Sequence, residues 1–180
     1  MKQNKTLDMT YIALGVVLIT VCSWISIPMA VPFTLQTFAV FTVCGMLGGR
    51  RGTISVLIYI LLGLVGIPVF SGFMGGAGVL FGLTGGYIIG FIFTALIMWG
   101  AERLFGSALP VTFASMALGL VACYAAGTFW FIRVYTARTG EIGIAAVLGM
   151  CVIPFIIPDL VKIALALIVS RRVRPIIDRL

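Results

Sequence analysis

The chain has 180 residues, of which 62% are hydrophobic and 9% charged, and its mean hydropathy is +1.24. Soluble domains carry about 25% charged residues, so this composition excludes a soluble globular protein and predicts an integral membrane protein. The net charge of +7 does not indicate nucleic-acid binding, because the basic residues lie at the ends of apolar runs, as in the cytoplasmic loops of membrane proteins.

Apolar runs in the first half of the chain predict three membrane spans. We expect them at residues 9–27, 35–48 and 53–69, with the charged sequence GGRRG (48–52) as a tight turn between the last two. A cleaved signal peptide is the alternative for the first run. The sequence SWISIPMAVP is a poor small-residue cleavage site, so we interpret this run as a retained helix. A glycine-rich stretch, residues 71–86, follows the third span.

The second half of the chain predicts three further spans. Two of them are expected at residues 84–101 and 110–131, and residues 133–141 form a polar connection. The last apolar run is interrupted by prolines, which remove a helical hydrogen bond and clash with the preceding turn. We therefore divide it into a short or re-entrant outer helix at residues 142–152 and a sixth span that begins near Pro158.

Charge asymmetry predicts the orientation of this six-helix, all-α membrane domain, which we expect to cover residues 1–180 as a single unit. Six spans place both termini on one side. That side would carry nine basic residues, namely Lys2, Lys5, Arg50, Arg51, Arg103, Arg171, Arg172, Arg174 and Arg179. The other side would carry only Arg133 and Arg138. The positive-inside rule then makes the side of the termini cytoplasmic and turns the glycine-rich stretch outward.

Asp159 and Lys162 are the only charged residues between Glu141 and Arg171. A charge at the bilayer centre costs about 2.5–3.5 kcal/mol on insertion scales, so intramembrane charges are candidates for function. Three residues apart on a helix, the two side chains share a face, and Pro158 would put Asp159 in the favourable first turn. A polar ligand site, a neutralised pair that staples helices together and a proton relay are the three interpretations. A proton relay usually needs more than one acidic residue, and no second one is predicted near this depth in the membrane.

Other candidate ligand residues surround this pair in the predicted topology. The dense glycines of SGFMGGAG, including Gly76 and Gly78, expose backbone groups that could face a cavity. Polar or aromatic side chains near the outer ends of spans complete the set: Thr34, Gln36, Tyr87 and Trp130. The alternatives are a hydrogen bond between helices for Gln36 and a place in an aromatic belt at the membrane surface for Trp130. The chain has no histidine and no C-x-x-C pair, so we expect its four cysteines to pack helices and to bind no metal.

Several segments, taken together, resemble the BioY family of biotin-binding S components of energy-coupling factor (ECF) transporters. They are VPFTLQTFAVF, GRRGTISVLIYILLGLVGIPVF, GGAGVLFGLTGGYIIGF, GTFWF and PFIIPDLVK, and the resemblance covers residues 30–172. It implies a six-helix subunit of a prokaryotic cytoplasmic membrane that binds biotin from outside. Asp159 and Lys162 match the acidic and basic residues of the family's biotin site.

The resemblance also implies partners: a transmembrane coupling protein and two cytoplasmic ATPases, which use ATP. This chain itself would hold no cofactor and catalyse no reaction. The family's small-x-x-x-small docking motif matches Ala13 but has Val17 at the second small position, with Gly15 as an alternative opening on that face. A solitary biotin carrier, an S component for another vitamin and a membrane enzyme using Asp159 as a base are the competing interpretations.

Overall fold

A computed structural model of the chain describes residues 5–29, 31–177 and 179; the basic residue Lys2 lies outside this part. The described residues are mostly helical. The helices are α1 (Lys5–Trp24), α2 (Gln36–Leu47), α3 (Gly49–Leu64), α4 (Ala77–Leu80), α5 (Gly85–Phe105), α6 (Leu109–Thr139), α7 (Ile144–Cys151) and α8 (Ile153–Ile177). A minimal antiparallel pair of strands, β1 (Ser26–Ile27) and β2 (Phe33–Thr34), connects α1 to α2.

Four helices in the described part of the chain, α1, α5, α6 and α8, are long and apolar enough to cross a membrane. The other two helices of the bundle are shorter, with 12 residues in α2 and 16 in α3. A 12-residue helix is about 18 Å long, whereas the hydrocarbon core of a bilayer is about 30 Å thick. Helix length thus confirms a multi-pass membrane protein but does not confirm six transmembrane helices.

Exposed apolar side chains cover the outer surface of the long helices. Only 28–33% of the most apolar segment of each long helix is buried within the chain. Large residues such as Leu14 on α1, Leu118 on α6 and Ile168 on α8 are more than half exposed. A surface of this kind is suited to contact with lipid, since lipid tails are as apolar as leucine.

The centre of the bundle is built around α2 and a close pairing of α5 with α6. Most residues of α2 are buried, which explains how so short a helix is held. Glycines on α5 and α6 let the two helices approach: the Cα atom of Gly90 lies against Cys123, and Gly119 lies against Thr94. The hydroxyl of Thr94 donates to the carbonyl of Gly119 at 2.9 Å. Small residues commonly allow such close pairing between transmembrane helices.

Contacts at the two ends of the bundle show that its six longest helices alternate in direction. At one end Asp8 pairs with Arg51, and Glu102 pairs with Arg174. At the other end the indole of Trp24 donates to the carbonyl of Pro68 at 2.9 Å. The beginning of α1 and the end of α8 therefore lie at the same end, which we call the basic end because the predicted cytoplasmic arginines cluster there.

Three predicted boundaries are wrong. The sequence GGRRG is not a turn, because Gly48 alone, with φ of 82°, connects α2 to α3. The predicted polar connection at residues 133–141 is helical as far as Thr139, and within this extension Tyr135 stacks on Phe131 one turn earlier. The last apolar run breaks at Val152 rather than at Pro158, which lies inside α8.

The position of Pro158 changes the surroundings of Asp159. The first residue of α8 is Ile153, so Asp159 lies in the second turn of the helix and not in the first. The end of the helix dipole therefore contributes less to its stabilisation than the sequence predicts, because this effect falls off within one turn. The short outer helix predicted at residues 142–152 is present as α7 (Ile144–Cys151).

Candidate ligand-binding site

A cavity opens near the end of the bundle that lies opposite the basic end. With its opening it has a volume of about 720 Å³, and side chains from β2, α2, α5, α6 and α8 line it. Five of the predicted ligand-binding residues are among them: Thr34, Gln36, Tyr87, Asp159 and Lys162. The fold thus brings together residues that are up to 128 positions apart in the sequence.

The ion pair of Asp159 and Lys162 forms the polar wall of this cavity. Both residues are buried, with 3% and 4% of their surface exposed. Lys162 Nζ lies 2.7 Å from Asp159 Oδ1 and donates a second hydrogen bond, also 2.7 Å, to the backbone carbonyl of Thr34. It also lies 4.2 Å from the centre of the Phe33 ring, which is within the range of a cation–π interaction. The ammonium group therefore fastens β2 to α8.

Tyr124 of α6 holds the other oxygen of the carboxylate. Its hydroxyl donates to Asp159 Oδ2 at 2.5 Å, and its side chain lines the cavity. Sequence reasoning did not single out Tyr124, although a tyrosine in the middle of an apolar span is the kind of signal that marks a buried polar contact. Both oxygens of Asp159 thus have a donor, as a buried charge requires.

Gln36 begins a second polar chain that leads away from the cavity. Its side-chain amide donates to the hydroxyl of Tyr59 at 2.7 Å, and this hydroxyl donates to the carbonyl of Val69 at 3.1 Å. Ser23 of α1 also donates to the Val69 carbonyl. This chain of hydrogen bonds connects Gln36 with the segment between α3 and α4. Three residues of that segment, Phe70, Ser71 and Met74, also line the cavity.

The remaining wall of the cavity is apolar and aromatic. Phe91 of α5 and Phe155 of α8 face it, and Phe155 stacks on Phe33 with 6.1 Å between ring centres. Tyr87 lies directly against Gly127 of α6, where any larger residue would collide with its ring. The cavity therefore combines one charged and hydrogen-bonding side with one side suited to an apolar ring or chain.

Three predicted ligand residues do not line this cavity. Trp130 packs against Gly86, and its indole donates to the carbonyl of Gly82 at 2.9 Å. Gly76, with φ of 94°, donates its N–H to the carbonyl of Gly63, and Gly78 is exposed. The contacts of Trp130 and Gly76 therefore hold the glycine-rich stretch in place. Other residues of this stretch line the cavity, namely Ser71, Met74, Val79 and Thr84.

The residues predicted for docking lie on α1 but not on one face. Ala13 and Val17 are exposed, and they are one helical turn apart. Gly15 is buried against Ser55 of α3, where an added Cβ would meet the serine hydroxyl. Gly15 therefore belongs to the contact between α1 and α3, and the exposed face carries Ala13 and Val17 without it.

Together, the lipid-compatible surface and the open cavity with its buried ion pair define a multi-pass membrane protein with a site suited to a small ligand. A sequence model of the BioY family matches residues 1–179. The chain belongs to the BioY family, which confirms the resemblance found in its sequence.

Named relatives and a solved structure agree with this assignment. The chain is 41% identical over 158 residues to "Biotin transporter BioY" of Thermotoga maritima, covering 87% of this chain and 89% of the relative. It is 39% identical over 172 residues to "Probable biotin transporter BioY" of Pyrococcus horikoshii, covering 94% and 98%. A crystal structure described as the S-component for biotin from an ECF-type ABC transporter superposes with a TM-score of 0.83, at 28% identity, over 97% of this chain and 95% of that one.

Proposed function

We propose that this chain is a biotin-binding S component, the subunit that determines which substrate an ECF-type transporter takes up. The observation that carries the proposal is the buried pair of Asp159 and Lys162 on the wall of the cavity. Membership of the BioY family and the names of the relatives support the choice of biotin. A transport subunit, rather than an enzyme, is what this family membership implies.

The chemistry of biotin complements that of the cavity. Biotin has a ureido ring with two N–H donors and a carbonyl oxygen, a sulfur-containing ring and a chain that ends in a carboxylate. A carboxylate such as that of Asp159 accepts hydrogen bonds from N–H donors, and an ammonium group such as that of Lys162 binds a carbonyl or carboxylate oxygen. The sulfur-containing ring and the aliphatic chain suit the wall formed by Phe91 and Phe155.

We further propose that α2 and α3 complete a set of six crossing helices, with both termini in the cytoplasm. The alternating directions of the helices support this topology. The arginines of the basic end would then lie on the cytoplasmic side, as the positive-inside rule requires, and the cavity would open outward. The short α2 would be accommodated because neighbouring helices bury most of it.

The proposed partners are a transmembrane coupling protein and two cytoplasmic ATPases. Ala13 and Val17 on the exposed face of α1 are the proposed contact with the coupling protein. Biotin would be the transported ligand, and ATP would be hydrolysed by the partner subunits. The chain has no G-x-x-x-x-G-K-[ST] loop with which to bind nucleotide phosphates itself.

A ligand panel and an uptake assay test the proposal. Purified protein is titrated by calorimetry with biotin, thiamine and riboflavin, and we expect heat of binding for biotin alone. Biotin uptake is then measured in cells that produce this chain with or without a coupling protein and ATPases. Uptake only with the complete module is expected. Binding of another vitamin would refute the choice of substrate, and equal uptake without any module would favour a solitary carrier.

A further inference from the structure

A second cavity lies at the basic end, far from the ligand-binding site. With its opening it measures about 970 Å³, and it lies where α1, α3, α5 and α8 meet. Its lining contains four arginines, Arg50, Arg51, Arg103 and Arg174, and only two acidic residues, Asp8 and Glu102. The cavity therefore has an excess of two positive charges.

The two acidic residues are already engaged. Asp8 forms an ion pair with Arg51, and Glu102 pairs with Arg174 and also accepts the backbone N–H of Gly49. Among the described residues, neither Arg50 nor Arg103 forms an ion pair, and both side chains are exposed. Two guanidinium groups thus face one cavity without an anionic partner in the described chain.

The neighbours of these arginines favour an amphipathic ligand. The apolar residues Ile12, Leu47 and Ile54 line the same cavity as the arginines. Trp99 lines the same cavity near the end of an apolar helix, a position where tryptophan lies at the level of lipid headgroups. A soluble anion would bind the arginines but leave the apolar residues of the cavity in contact with water. A lipid would bind the arginines through its headgroup and cover the apolar residues with its acyl chains.

We propose that this cavity binds the phosphodiester headgroup of an anionic phospholipid, with its acyl chains lying along the apolar surface of the adjoining helices. Guanidinium groups bind phosphate oxygens with two parallel hydrogen bonds, and basic pockets between transmembrane helices are suited to anionic headgroups. The phosphodiester would contact both Arg50 and Arg103 and so bridge α3 to α5, and its single negative charge would halve the excess of two positive charges. The inference does not depend on the identity of the transported ligand.

Native mass spectrometry of the full-length protein in detergent tests this site. Phosphatidylglycerol is titrated against phosphatidylcholine with the same acyl chains, and bound lipid is counted. We expect retention of phosphatidylglycerol in preference to phosphatidylcholine, and a loss of about fivefold or more of this affinity in Arg50→Gln/Arg103→Gln. Arg50→Lys/Arg103→Lys should keep most of the preference, since it keeps the charge.

A matched control removes the same charge at the same end. Arg172 and Arg179 are exposed but line neither this cavity nor the ligand-binding site, so Arg172→Gln/Arg179→Gln should retain phosphatidylglycerol. The thermal unfolding temperature of each variant reports whether the bundle is folded. Should Arg50→Gln/Arg103→Gln not fold, the preference of the unmodified protein between the two lipids still tests the proposal.

Three results would overturn the proposal. The first is equal retention of the two lipids by the unmodified protein. The second is an equal loss of phosphatidylglycerol in the control variant, which would indicate a diffuse effect of net charge. The third concerns the source of the phosphate group: displacement of the lipid by millimolar inorganic phosphate would show that the cavity selects a soluble anion and not a lipid.

Discussion

The hydroxyl of Tyr124 donates a 2.5 Å hydrogen bond to Asp159, on the carboxylate oxygen that Lys162 does not contact. Two helices, α6 and α8, are thereby joined at the wall of the ligand cavity. Because the phenol can hold the carboxylate in one orientation, Tyr124 is expected to position Asp159 for biotin as well as to contact the ligand.

Tyr124→Phe should weaken biotin binding by about tenfold. A hydrogen bond to a charged group contributes about 1.5–3 kcal/mol, and 1.4 kcal/mol corresponds to a factor of ten in Kd. Calorimetry with the purified protein measures the change. Tyr135→Phe is the control on the same helix, because Tyr135 stacks on Phe131 and does not line the cavity. An equal effect of both substitutions would contradict a specific role of Tyr124.

Removing the charges of Asp159 and Lys162 distinguishes a ligand-binding role from a purely structural ion pair. Lys162→Met alone should lower the stability of the folded protein by about 3–5 kcal/mol, since it leaves Asp159 buried and unpaired. Asp159→Asn/Lys162→Met, which removes both charges, should recover most of the loss in a thermal unfolding assay. Biotin binding should remain impaired in this double variant. Recovery of both stability and binding would mean that the pair serves structure alone.

Tyr59→Phe tests the connection between the cavity and the segment before α4. Tyr59 is fully buried and does not line the cavity, but its hydroxyl joins Gln36 to the carbonyl of Val69. Its loss should accelerate biotin dissociation by about fivefold, because a net hydrogen bond contributes about 1 kcal/mol. Hydrogen exchange should also increase at residues 65–76. Faster dissociation without faster exchange in this segment would contradict the proposed connection.

A glycine on α6 is expected to determine the shape of the apolar wall. Gly127→Ala would place a methyl group inside the space of the Tyr87 ring, so the ring must move or α5 must separate from α6. We expect a lower unfolding temperature and weaker biotin binding. Gly100→Ala on α5 is the control, since the added Cβ meets no atom within 4 Å apart from neighbouring backbone of its own helix, and alanine favours a helix. Equal stability of the two variants would contradict close packing at Gly127.

Bulky residues on the exposed face of α1 should separate binding from transport. Val17→Trp adds volume where the proposed coupling protein would contact this chain, at an exposed position that does not line the ligand cavity. Biotin binding by the isolated protein should be unchanged, whereas uptake with the complete module should fall by at least about tenfold. Leu118→Trp, on the exposed surface of α6, should leave uptake intact. Equal uptake by both variants would remove Val17 from the proposed interface.

Much of the helical order was predictable from the sequence because long apolar runs must form helices in a membrane. The error at Pro158 has a physical cause. Proline disfavours a helix interior, but here the preceding break occurs at Val152, and α8 accommodates the proline within its second turn. The three-residue spacing indicates that Asp159 can pair with Lys162, but local sequence does not reveal the second partner of the carboxylate, Tyr124.

Some residues of the candidate site were predictable from the sequence, and others were not. Asp159 and Lys162 stood out because buried charges in an apolar run are rare, and Gln36 because an amide there needs a partner. Tyr124 and Phe33 did not, since their contribution depends on contacts across the bundle. Trp130 does not line the cavity, because its indole donates to the carbonyl of Gly82, a contact that only the folded chain creates.

Calorimetric titration of biotin into the purified protein, beside Asp159→Asn and Lys162→Ala, tests the central claim most directly. Asp8→Asn, at the basic end, serves as a control that also loses one charge of an ion pair. The proposed site predicts tight binding by the unmodified protein and the control, and a loss of at least about tenfold in each site variant, equivalent to 1.4 kcal/mol or more. Unchanged affinity in both site variants, or no binding of biotin by the unmodified protein, would contradict it.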